Sequence, residues 1–249
     1  MGIELSKKIS KQAHATASWS RLHHKLLKSS VASLTPPIED AGFDHLFARL
    51  DEELSSKDLK HLKIETYFGD EWFCPDQSTA IAVPFWLADK RLKSIERKMI
   101  GYVEGETDDE FMRLLRHEAG HCVEHAYRLS KRQDWRAIFG NPNRPYDPDN
   151  VMTTPEHPNY VENLSGGYAQ THPEEDFAET FAVWLDSGRN CWDDYRARPR
   201  VLQKLLYVDE VLAECASKKP KRRKFSKISQ ARRMRRTLMS YYQQRMRQH

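Results

Sequence analysis

Closely spaced cysteines are absent from this 249-residue chain. Cys74, Cys122, Cys191 and Cys215 stand far apart with no C-x-x-C pair, which excludes a zinc ribbon and a disulfide framework. Reduced thiols in a cytoplasmic protein are the expectation. Long apolar runs are missing as well. The longest, Ala80 to Ala88, has nine residues and contains Pro84, far below the ~20 that a spanning helix needs. No membrane span is expected. The first thirty residues are polar and basic without an apolar stretch, so no secretory signal is expected either. Acidic residues disappear from the end of the chain: residues 218–249 hold thirteen Lys or Arg and no Asp or Glu. No internal repeat is present.

What remains is enough to build a core. Apolar residues make up 39% of the chain and include six Trp, ten Tyr and ten Phe, which excludes a wholly disordered polymer. The formal charge of +4 hides an asymmetry. Outside the last 32 residues the chain holds 27 basic against 36 acidic side chains, so an acidic body precedes a basic tail. Three regions follow. Residues 1–60 read as a helical N-terminal region, with Leu22, Leu26, Leu27, Phe47, Leu50 and Leu54 at helical spacing and Pro36–Pro37 between them. Residues 61–217 read as the main domain. Residues 218–249 read as a basic tail, helical or partly disordered, set off by Pro220.

Within the main domain two strands are expected, over residues 62–68 and 80–87. Pro84 cannot donate to a ladder, so it places the second strand at an edge or ends it early. An edge strand above a cleft would bind substrate backbone by strand addition. Thr107 and Glu110 form a T-x-x-E capping box, and the stripe of Phe111, Leu115, Cys122, Ala126 and Leu129 predicts a helix to about Leu129. A Pro- and Asn-rich loop over residues 141–158 follows. Pro173 then opens a second helix, to about Asp186, and a third is expected over residues 201–216. Helices with a few strands give an α+β class.

The chemistry-bearing motif is His117-Glu118-Ala119-Gly120-His121, an H-E-x-x-H pattern. Two histidines one turn apart present both imidazoles to one cation, and Glu118 between them is placed to hold a water. A catalytic zinc takes three protein ligands and keeps one position open. His125 does not complete the set, because His117 to His125 spans ~12 Å along a helix axis at ~1.5 Å per residue. The metzincin continuation is also missing, since Glu124 and Tyr127 occupy its positions. The third ligand is therefore expected from another helix. In HPEEDFAETFAVWL, Glu175 and Glu179 stand at i and i+4 beside an apolar stripe. Glu175 is expected to ligate, and Glu179 to accept the N–H of a ligating histidine. Glu174 points away, toward the apolar side.

Three segments, DEWFCPDQSTAIAVPFWLADKRL, RHEAGHCVEHAY and YAQTHPEEDFAETFAVWLDS, resemble a bacterial family described as putative zinc-binding metallopeptidases, over about residues 63–214. EDFAETF is also similar to the E-F-F-A-E-x-F helix of the lethal-factor-like gluzincins. That resemblance implies a zincin-like catalytic domain with a small mixed or antiparallel sheet. It also implies Glu175 as zinc ligand and Tyr168, seven residues earlier, as a donor to the transition state. Tyr160 is a second candidate for that role. The chain departs from the gluzincin pattern in its longer gap from His121 to Glu175, and in Asp176 where an aromatic stands.

The implied activity is zinc-dependent hydrolysis of a peptide or protein substrate, with Glu118 assisting attack of a zinc-bound water. The alternative is a nucleic-acid-associated or adaptor protein with a structural zinc, binding nucleic acid or an acidic partner through residues 218–249. His157 and His172 would be the fourth ligands in that case.

Overall fold

A computed structural model describes residues 20–147, 150–220 and 227–248. Residues 1–19 of the expected helical N-terminal region, and residues 221–226 and 249 of the basic tail, lie outside the described residues. Eight helices of seven or more residues are found among those described: α1 (Arg21–Lys28), α2 (Asp44–Ser56), α3 (Lys90–Ile100), α4 (Asp108–Tyr127), α5 (Gln133–Phe139), α6 (Pro173–Leu185), α7 (Pro199–Ala216) and α8 (Leu238–Gln248). Strands β1 (Glu65–Gly69) and β2 (Ala80–Pro84) lie between α2 and α3. The class is α+β. No helix among the described residues is long and apolar enough to cross a membrane.

Local chemistry sets the ends of the two central helices. The Thr107 hydroxyl accepts the Glu110 N–H while the Glu110 carboxylate accepts the Thr107 N–H, so the capping box starts α4. The helix stops at Tyr127, two residues before Leu129, because Arg128 adopts a left-handed conformation with φ 55°. Pro173 occupies the first turn of α6, and His172 Nδ1 accepts the Glu174 N–H in front of it.

The expectation of a mixed or antiparallel sheet is corrected. β1 and β2 pair in parallel, in the register Glu65↔Ala80 to Gly69↔Pro84. The reason is the connection. Residues 70–75 run back along the far side of β2, where the Ala82 N–H donates to Phe73 O at 2.9 Å, and a turn from Pro75 to Ser78 reverses the chain again. The second strand ends at Pro84, and a single turn, Phe85–Ala88, follows it. β2 is buried along its whole length. With β1 on one side and Phe73 on the other, Ala82 offers no free edge, which removes the basis for substrate binding by strand addition there.

Most of the buried apolar side chains form one large cluster in which Trp86, Phe111, Trp135, Phe177 and Phe181 are fully enclosed, while Tyr67, Ala80 and Ala82 form a small second one with Phe73. At the centre of the large cluster α4 packs on α6. A β-carbon placed on Gly120 would lie 2.8 Å from Ala178 Cα, so only glycine lets the two backbones approach this closely. A buried ionic clamp holds the amino-terminal half of α4. Arg116 donates to both oxygens of Glu53 on α2, at 2.6 and 2.7 Å, and lies 2.9 Å from Asp186 at the end of α6.

The described part of the basic segment docks on the body. Val31 N donates to Arg236 O, Ala32 N to Met234 O and Leu238 N to Ser29 O, which joins the two ends of the described chain. Leu238, Tyr241 and Tyr242 are buried, and burying a side chain the size of Leu238 contributes ~1.5–3 kcal/mol. Tyr242 OH and Arg245 both bond Glu96 on α3 at 2.7 Å, and Arg245 lies 4.4 Å from the Trp86 ring centroid. Arg236 and Lys227 pair more loosely with Asp70 and Glu65.

Candidate metal centre

The site grows out of the close contact between α4 and α6. His117 and His121, one turn apart on α4, face Glu175 in the first turn of α6. His117 Nε2 lies 3.0 Å and His121 Nε2 3.2 Å from Glu175 Oε2, and the two Nε2 atoms are 3.2 Å apart. Among the described residues these three form the one group of His, Cys, Asp or Glu side chains arranged to hold a metal ion. His117 and Glu175 are buried, and His121 is slightly exposed.

The donor set itself argues for a cation. Glu179, fully buried on the next turn of α6, takes four hydrogen bonds. His117 Nδ1 and Asn163 Nδ2 donate to its Oε1 at 2.8 and 3.0 Å, and the Asn163 and Leu164 N–H groups donate to its Oε2 at 3.2 and 2.8 Å. A carboxylate only accepts, so His117 Nδ1 carries the proton and its Nε2 presents a bare lone pair. That lone pair, the His121 Nε2 and the Glu175 oxygen converge on one point. Tetrahedral ligands at the ~2.0–2.1 Å bond lengths of zinc sit ~3.3 Å apart, close to the three separations found here. The residues therefore fit a zinc ion.

Electrostatics agree with this reading. Burial alone would raise the Glu175 carboxyl, but the His121 and His117 rings beside it hold it well below the usual carboxylate range. Burial pulls the His117 ring down, and the Glu175 and Glu179 carboxylates override it, driving the ring toward a second proton. A divalent ion supplies the same positive charge at that place. Burial pushes the Glu118 carboxyl up to about 7, against the pull of His117 and His121.

The remaining sequence candidates separate clearly. Tyr168 begins a single turn ahead of α6, and its ring lies 5.5 Å from that of His117. Gly167 before it has φ 70°, and an added β-carbon would meet Gln170 Nε2, Thr153 and Thr154, so the turn that aims Tyr168 requires glycine. Tyr160 faces elsewhere: Lys204 Nζ sits 4.0 Å from its ring centroid. Glu174 stands outside the cluster, partly exposed, with one oxygen 3.8 Å from His172 Nδ1. It does not point toward the apolar side as expected. Asp176 is the acidic residue buried there, paired with Lys204 of α7 at 2.7 Å. His172 is occupied at both ring nitrogens, by Glu174 N and Arg144 O, and His157 Nδ1 accepts the Asn159 N–H. Neither joins the cluster of His117, His121 and Glu175. His125 turns toward Cys74 and Ser78.

One residue at the site escaped the sequence reading. Tyr146, on the loop that precedes residues 150–158, places its hydroxyl 2.9 Å from that of Tyr168. Burial and the Glu175 carboxylate push Tyr146 up to about 12 and raise Tyr168 further still. Both phenols therefore stay protonated donors. No spacing rule could have found Tyr146, because it sits in an irregular Pro- and Asn-rich stretch.

A buried cluster of two histidines and one carboxylate on two packed helices is thus arranged so that it could hold one metal ion. Comparison with protein families agrees: residues 92–191 match the family described as "Putative zinc-binding metallo-peptidase". The matched segment is shorter than the resemblance over residues 63–214, but it includes α4, α6 and every ligand candidate. No curated protein and no solved structure matches the chain.

Proposed function

We propose that this protein is a zinc-dependent metallopeptidase of gluzincin type, with His117, His121 and Glu175 as metal ligands. The convergence of two Nε2 atoms and one carboxylate oxygen within 3.0–3.2 Å of one another carries the reading. When bound, zinc supplies Lewis-acid polarisation of the scissile carbonyl and lowers the pKa of water at its open position.

The chain's own residues do the rest. Glu118 takes the proton of the attacking water and returns it to the leaving amine, a role worth typically ~10²–10⁴-fold. Its buried carboxyl, raised toward neutrality, suits both halves of that transfer. Tyr168 donates to the oxyanion of the tetrahedral intermediate, and its contact with Tyr146 fixes the direction of its hydroxyl. Glu179 keeps the His117 ring in the tautomer that presents Nε2, and the Asn163 and Leu164 N–H groups hold Glu179 in place. The substrate is a peptide or protein, and the dispersed cysteines support a cytoplasmic setting. For the described part of the basic tail, the pairing of Arg245 with Glu96 supports contact with acidic groups of the body in preference to nucleic acid.

The test pairs metal analysis with a peptide-library digest. Purified protein is expected to hold one zinc per chain and to cleave peptides, whereas Glu118→Gln keeps the zinc and loses cleavage. Undiminished proteolysis by that variant would remove Glu118 from its role.

A further inference from the structure

A second reactive cluster lies behind the metal centre. Cys74, on the segment returning from β1, and Cys122, on α4, place their sulfurs 3.5 Å apart. His125, one turn beyond His121, brings Nδ1 to 3.5 Å from Cys74 Sγ and 3.3 Å from Ser78 O. Its Nε2 lies 3.6 Å from the Glu124 carboxylate. Cys74 is half-buried, whereas Cys122 is fully enclosed. None of these groups belongs to the three-ligand cluster.

We propose that Cys74 and Cys122 form a dithiol that a hydroperoxide oxidises to a disulfide, with the His125 ring as proton donor to the departing oxygen. The arrangement has the parts such chemistry requires: a cysteine that is not fully enclosed, an imidazole against its sulfur and a second thiol beside it. Hydrogen bonds from Cys122 and His125 outweigh burial and hold the Cys74 thiol down to about 5. Cys74, the less enclosed of the two and the one that the His125 ring touches, is the nucleophile and Cys122 the reserve.

In the first step the Cys74 thiolate attacks one peroxide oxygen. The S–O bond forms, the O–O bond breaks, and the departing alkoxide or hydroxide takes the His125 proton. In the second step Cys122 sulfur attacks Cys74 sulfur, and the hydroxyl leaves as water with the Cys122 proton. Two thiols and one peroxide give one disulfide, one alcohol or water, and a second water. The sulfurs lose two electrons to the peroxide oxygens. The Sγ–Sγ distance would close to ~2.05 Å, tying the turn of α4 that bears His121 to the segment ahead of β2. This chemistry is independent of the peptidase reading.

The experiment treats the full-length, zinc-loaded protein with hydrogen peroxide, blocks remaining thiols with a maleimide, and maps tryptic peptides by mass. The expected product links residues 64–90 to residues 117–128 with the loss of two hydrogens. Cys191 and Cys215, both buried with their thiols pushed up by burial, serve as internal references. In Cys122→Ser, Cys74 is expected to stop at the sulfenic acid and be trapped by dimedone. In His125→Gln, oxidation of Cys74 is expected to slow about tenfold or more, together with loss of the ultraviolet thiolate absorbance at neutral pH. Cys74 oxidising no faster than Cys191 and Cys215, or the absence of the linked peptide in the unmodified sequence, would overturn the proposal. An unchanged rate in folded His125→Gln would remove His125 from it.

Discussion

Gly120 and Ala178 touch backbone to backbone: a β-carbon on the glycine would lie 2.8 Å from the Cα of the alanine and 3.2 Å from the Phe181 ring. The contact falls between the two histidines of α4 and the two glutamates of α6. It sets the helix separation at which Glu175 reaches both rings and Glu179 reaches His117. Gly120→Ala therefore has to push the helices apart, and overpacking of this kind costs ~1–3 kcal/mol. We expect a lower Tm together with weaker zinc binding, checked by thermal unfolding with and without added zinc. A variant as stable as the parent that binds zinc equally well would show that the helix spacing is not set here.

Glu174, Glu175 and Glu179 share a helix but differ in what they touch. Glu175→Ala is expected to abolish zinc retention on gel filtration, whereas Glu174→Ala leaves it intact. Glu179→Ala removes the acceptor that orients His117, and the loss of such an outer carboxylate typically weakens metal affinity ~10–100-fold. Competition with a zinc chelator measures all three. Equal zinc affinity in the Glu174 and Glu175 variants would refute the ligand assignment.

The tyrosines divide in the same way. Tyr168→Phe is expected to lower kcat by ~10²–10³ with zinc content unchanged, the scale of losing one oxyanion donor. Tyr160→Phe should leave kcat where it was, because its ring packs under Lys204. Steady-state kinetics on one peptide substrate decides between them. Comparable losses in both variants would count against Tyr168.

Asp176 and Lys204 form a buried pair at 2.7 Å, with Lys204 also donating to Asn159 O at 2.6 Å. Lys204→Met leaves the carboxylate enclosed without its partner, a change that costs ~3–5 kcal/mol. Adding Asp176→Leu is expected to recover most of that loss, since apolar replacements of buried ion pairs are close to neutral. Urea unfolding of the single and double variants measures the coupling. Additive losses would mean that the pair is not a unit.

The convergence of His117, His121 and Glu175 was legible because its signal is local. His117 and His121 repeat at the helical period, Glu175 and Glu179 do the same, and an unfavourable charge beside an apolar stripe asks for a partner. The capping box of Thr107 and Glu110 and the proline at the start of α6 are equally short-range. The parallel pairing of β1 with β2 was not legible, since it depends on residues 70–75 passing the far side of β2. Neither strand's own pattern carries that information. The partner of Asp176 was not legible either, because Lys204 lies 28 positions away on α7. Tyr146 and the Cys74–His125 contact were hidden for the same reason: each joins an irregular segment to a residue remote in sequence, Tyr168 on the turn ahead of α6 and His125 on α4.

The hydrogen bond from Leu238 N to Ser29 O has a temporal side. On the ribosome, the turn that follows α1 waits roughly 200 residues for its partner, some 10–40 s at ~5–20 residues per second. During that interval Phe85 and Trp86 lack the aromatic lid of Tyr241. The nascent chain thus carries a sticky aromatic face until synthesis is nearly through α8, and a holdase that masks that face would raise the yield of native protein.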